Sequence, residues 1–160
     1  MASGKIFCIL GGILTLLGTY FFTFLPSSPG TYYYGLGFVI KIPYMFQSGW
    51  ILYILMAIVF IILLLAEIFI FFGVKSKKLA LFGSIYTLGF GTYMILSFYV
   101  FGITTFSSIG VFMEQFLAYA LSEGIIPFDL FLGPFSLGTY LLIGGGVLGL
   151  IGGMRGSSAW

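Results

Sequence analysis

The chain has 160 residues, 61% of them hydrophobic and only 6% charged, and so few charged side chains cannot clothe a soluble domain of this length in a hydrated surface. There is no histidine and one cysteine, Cys8. Imidazole-ligated haem, His-containing zinc sites, a His general base, an intrachain disulfide and a Cys-X-X-Cys redox pair are therefore excluded. The net charge of +2 is too small and too scattered for a nucleic-acid surface.

Four stretches carry no charge, 6–40, 42–66, 79–113 and 130–154, and each exceeds the roughly 18–20 residues a helix needs to cross a bilayer. They predict an all-α integral membrane protein, a single domain over 1–160. In chain order, the first transmembrane helix covers about 5–25 and stops at Pro26 and Pro29. Its apolar run is longer than the roughly 7–15 residues of a signal-peptide core and has no A-x-A-like site after it, so it is expected to be retained rather than cleaved. In the outer segment 26–48, bulky apolar residues at Tyr32, Tyr34, Leu36, Phe38, Ile40 and Ile42 alternate with others. That period of two reads either as a β-strand over 31–42 or as an irregular loop whose tyrosines lie at headgroup depth.

The second helix is predicted over 49–73, followed by an inner loop, 74–78, and a third helix over 79–103. A second outer segment, 104–133, has Ile109, Phe112, Met113, Phe116, Ala120 and Leu121 at helical spacing, with Glu114 and Gln115 off that stripe. It predicts an amphipathic helix over 108–122 ending at Gly124. The fourth helix is expected over 134–154, with Pro134 at its first position, where a missing N–H costs nothing. If the four helices alternate, Lys5, Lys75, Lys77, Lys78 and Arg155 share one side. By the excess of cations on cytoplasmic loops, that side is cytoplasmic and holds both termini. The layout resembles claudin-type proteins in topology. The outer cysteine pair and Trp-containing signature of that family are absent here, so the resemblance implies an architecture and no site residue.

Three groups of residues stand out. Glu67 lies about 9 Å from the Gly73 end of its helix, where an ionisable group costs roughly 2.5–3.5 kcal/mol near mid-membrane and must be compensated. Depth matching offers Ser84, Tyr86 and Thr87 on the third helix and Thr15 on the first as its partners. The functional reading of this intramembrane polar site is a proton, ion or substrate site. The plainer one is a structural hydrogen-bond anchor, or an acid kept neutral by desolvation. Secondly, Gly145, Gly149 and Gly153 form a small-xxx-small face on the fourth helix, and Gly11, Gly12 and Gly18 a similar stripe on the first. These are packing faces; Gly144 to Gly146 is no phosphate loop, since no lysine follows and the run lies inside an apolar helix. Thirdly, Lys75, Lys77 and Lys78 either touch anionic lipid headgroups or only fix the topology.

No catalytic or metal-binding constellation is present, since Glu114 and Glu123 fall on roughly opposite sides of their helix. No cofactor is expected. The partners expected are the lipid bilayer and either copies of the chain or other membrane subunits. The sequence thus points to a non-catalytic membrane protein acting by assembly. An oligomeric pore lined by Thr15, Thr19, Thr87, Tyr93 and Ser97 is the alternative, and a carboxylate-dependent transporter or membrane enzyme using Glu67 a third reading. Glycines such as Gly83, Gly89, Gly91, Gly144, Gly146 and Gly152 gather toward the inner halves of the helices, and Tyr20, Phe21, Phe22 and Phe135 toward the outer halves. This gradient predicts a bundle tapered toward the cytoplasm, with an apolar cleft outside.

Overall fold

The computed structural model describes residues 2–23, 35–96, 130–132 and 135–155. These are mostly helical, forming five helices: α1 (Ala2–Tyr20), α2 (Gly35–Gln47), α3 (Ile51–Phe72), α4 (Lys77–Met94) and α5 (Leu137–Arg155). Two of them, over Tyr53–Phe72 and Leu137–Arg155, are long and apolar enough to cross a membrane, and Gly4–Tyr20 is a shorter apolar helix. Helices α1, α3, α4 and α5 overlap the four predicted ones; α1 ends at Tyr20 and not at 25, α4 ends at Met94, and 97–103 of the predicted third helix lie outside the described residues. The amphipathic helix predicted over 108–122, with Glu114 and Glu123, lies outside the described residues.

The helices form one bundle in which α5 packs on α1 and α4, and α3 packs on α4, α1 and α2. One end is basic. Cys8 meets both Gly73 and Gly152, and Ala80 meets Gly73 and Gly153, so Lys5, Lys75, Lys77, Lys78 and Arg155 are gathered at a common end. There the Arg155 guanidinium lies 5.2 Å from the centre of the Phe7 ring. The opposite end is aromatic. Trp50, 63% exposed, stacks on Tyr53 with ring centres 6.0 Å apart, and Phe135 meets Tyr140 edge-on.

The strand predicted over 31–42 is not present in 35–42, which are helical, while 31–34 lie outside the described residues. In a segment where every residue but Lys41 is apolar, the contrast that a period of two depends on is nearly absent. A helix closes its own backbone hydrogen bonds, whereas a lone strand would leave its edges open. At 13 residues, α2 is about 20 Å long and too short to span. It lies along the aromatic half of the bundle, where Gly35 abuts Thr19 and Met45 joins Ala57, Phe60, Leu63 and Met94 in the apolar core. Pro43 sits inside it and removes one intrahelical hydrogen bond.

The start of α5 differs as well. The helix begins at Leu137 and not at Pro134, because Phe131 and Leu132 pair antiparallel with Ser136 and Phe135. Ser136 caps the helix: its hydroxyl accepts from the Thr139 backbone N–H at 3.4 Å and lies 2.8 Å from the Thr139 hydroxyl.

The predicted taper is not present between α1 and α5. Backbone touches backbone along the whole length of this pair, from Gly152 against Gly4 and Cys8 at the basic end to Gly138 against Gly18 and the Thr23 carbonyl at the aromatic end. Of the large outer residues named above, Phe21 faces outward, 54% exposed, and Tyr20, Phe22 and Phe135 are partly buried without parting this pair.

Candidate functional site: the buried Glu67 carboxyl

Glu67 is the only acidic side chain among the described residues, and it is fully buried. It shares the inward face of α3 with Phe60, Leu63 and Ile70, an apolar stripe that offers it nothing polar. Its partner comes from α1: the Thr19 hydroxyl donates to Oε1 at 2.5 Å. Tyr20, the next residue along, lies close enough to act on the same carboxyl electrostatically. Oε2 has no hydrogen-bond partner among the described residues.

The four partners expected from depth matching do not bond to Glu67. The Thr15 hydroxyl donates to the Gly12 carbonyl at 3.0 Å and Ser84 to that of Ala80 at 2.7 Å, each turning back onto its own helix. Tyr86 reaches Val59 on α3, donating to its carbonyl at 3.0 Å. Thr87 is buried with its hydroxyl unpartnered among the described residues.

The direction of the Cβ bonds explains the discrepancy. Side chains tilt toward the N-terminus of their own helix. The N-terminus of α1 is at the basic end and that of α3 at the aromatic end, so their side chains lean toward each other. A glutamate on α3 therefore meets the threonine about one turn above its own level on α1. Matching Cα depths pointed to Thr15; allowing for the tilt would have pointed to Thr19, which is visible in the sequence.

The glycines named from the sequence divide among four helix pairs. A methyl group at Gly11 would lie 2.7 Å from the Gly145 carbonyl oxygen and the Gly149 nitrogen, and Gly18 is as close to the Gly138 carbonyl. Gly12 instead faces the Phe71 ring of α3, Gly149 also faces Ser84 and Ile70, and Gly153 faces Ala80 and Leu81 of α4. The two small-residue stripes thus meet within one chain, and the close approach they permit lets α1 and α5 pack backbone against backbone. Gly89 and Gly144 are different, because a methyl group on either would meet nothing within 4 Å.

Cys8 and Glu67 belong to no cluster of three or more His, Cys, Asp or Glu side chains among the described residues. Chemically the Glu67 site can hold a proton, a water molecule or a small cation on its unpartnered oxygen. No protein-family model matches this chain, and no curated protein or solved structure matches it either.

Proposed function

We propose that the chain crosses the membrane four times, through the helices containing α1, α3, α4 and α5, with both termini cytoplasmic, and acts without catalysis by assembling. The assembly is a homo-oligomer or a larger membrane complex in which the chain is a small subunit. Membrane embedding is supported by an inverted distribution of polarity: Thr15, Thr19, Glu67, Ser84, Thr87 and Thr139 are buried, whereas Ile6, Leu55, Phe82, Ile85 and Met154 are among the exposed. The orientation rests on the five cations at the basic end, with Lys75, Lys77 and Lys78 placed to meet anionic headgroups.

The observation that carries assembly is the pair of outward glycines. Gly89 lies on the face of α4 that carries Phe82, Ile85 and Tyr93, and Gly144 lies between Tyr140 and Val147 on α5. Each opens a dent into which a helix from another chain fits closely. The pore alternative finds less support, since Thr15, Thr19 and Thr87 are enclosed within the chain's own bundle and cannot line a lumen shared between chains. Tyr93 is exposed, and Ser97 lies outside the described residues.

The test combines light scattering in mild detergent with cross-linking in the native membrane. A mass above that of one chain, or a cross-linked larger species, is expected. Gly89→Leu or Gly144→Leu should abolish it without lowering the thermal unfolding midpoint. A wild-type chain that runs as a monomer in detergent and gives no cross-linked species in its membrane overturns the proposal.

A further inference from the structure

Two polar atoms in the interior have no hydrogen-bond partner among the described residues, Glu67 Oε2 and Thr87 Oγ1, and both side chains are fully buried. A buried hydroxyl or carboxyl oxygen without a partner costs about 1–3 kcal/mol, and native proteins rarely leave one so. Thr87 is the more telling of the two. A helical threonine ordinarily satisfies itself by turning back to a carbonyl one turn earlier, as Thr15 and Ser84 do in this bundle. Thr87 does not, so its hydroxyl is turned away from its own backbone.

The packing of α3 on α4 places the two groups at neighbouring levels. Gly83, one turn before Thr87, abuts Ala66 and Ile70 on either side of Glu67. Phe90, one turn after Thr87, meets Phe60 edge-on with ring centres 5.6 Å apart. Thr87 therefore lies opposite the stretch of α3 from Leu63 to Glu67. The Cβ tilt again works in favour of contact, because α3 and α4 are antiparallel and their side chains lean toward each other.

We propose that Glu67 Oε2 and Thr87 Oγ1 together hold one buried water molecule between α3 and α4. Such a water gains two polar partners, the lower end of the roughly 2–4 that buried waters in proteins make. It also links three helices in series, from Thr19 on α1 through Glu67 on α3 to Thr87 on α4. The site goes beyond assembly and stands or falls independently of it.

The composition makes the test practical, since the chain has only four carboxylic side chains, Glu67, Glu114, Glu123 and Asp129. In infrared difference spectra of the full chain in lipid, Glu67→Gln isolates the signal of this one carboxyl. With the water in place, the spectra also carry an O–H stretch of that water, lost in Glu67→Gln, which moves to lower wavenumber when H₂¹⁸O replaces ordinary water. It shifts in Thr87→Val, which removes the hydroxyl at constant shape, and stays near its wild-type position in Thr87→Ser, which keeps it. A spectrum without an isotope-sensitive water stretch that depends on Glu67, or one in which that stretch is indifferent to Thr87→Val, overturns the proposal. So does a saturable rise in the unfolding midpoint with sodium or potassium chloride that is lost in Glu67→Gln, for that occupant is a cation. If Thr87→Val does not fold, the water-isotope arm on the wild-type chain decides alone.

Discussion

The two sides of this bundle are held by opposite means. Between α1 and α5 the contact is backbone on backbone, with Gly11, Gly18, Gly138, Gly145 and Gly152 leaving no room for a side chain. Around α2, α3 and α4 it is made by large residues, Met45, Phe60, Leu63 and Met94, with Tyr86 and Phe90 packed on them. In a bilayer, where we propose that this bundle sits, bringing apolar side chains together gains little from leaving water, so both sides would depend on van der Waals contact and hydrogen bonds. A glycine seam is intolerant of added volume, and a side-chain core is intolerant of lost volume.

That contrast fails or sharpens according to how the two sides respond to substitution. The largest effect is expected at the seam. Gly145→Ala should lower stability by about 1–3 kcal/mol, because its methyl group collides with backbone that cannot give way, and Gly145→Leu should leave no cooperative unfolding transition in detergent. On the other side, Leu63→Ala should cost about 1–2 kcal/mol, less than the 2–5 usual in water because the transfer contribution is small in lipid. Equal losses for Leu63→Ala and Gly145→Ala, with the same dependence on side-chain size, would remove the distinction. Glu67 ties α3 to α1 and so bridges the two regions. Glu67→Leu should cost about 1–2 kcal/mol while Glu67→Gln, still able to accept from Thr19, costs less; indistinguishable unfolding curves would mean that the hydrogen bond contributes nothing. The smallest effect belongs to the open glycines. Gly89→Ala and Gly144→Ala should change chain stability by no more than about 0.5–1 kcal/mol, and in the stabilising direction, since alanine suits a helix better.

The long helices were legible because a charge-free run of 20 residues has few other fates, and the cations mark one end whatever the packing. The glycine stripes were legible as packing faces; what they packed against was not, because sequence spacing gives a face but no partner. At 35–42 the pattern misled, since nearly every residue there is apolar and alternation loses its meaning. The hairpin before α5 had a signal that was read differently, as Gly133-Pro134 marks a turn as readily as Pro134 marks a helix start. Glu67 stood out at once, but Thr19 did not, because the depth of a Cα is not the depth of the group that forms the bond.

The seam between α1 and α5 also has a consequence in time. These are the first and last of the five helices, with more than a hundred residues between them, which at ribosomal rates take roughly 5–20 s to synthesise. Throughout that interval α1 is already made while the surface it is shaped to fit does not yet exist. Its glycine face must wait or be held by something else, and the bundle closes only when α5 has been made. Premature termination anywhere before 137 therefore yields no smaller version of this protein, only helices whose closest contact was still to come.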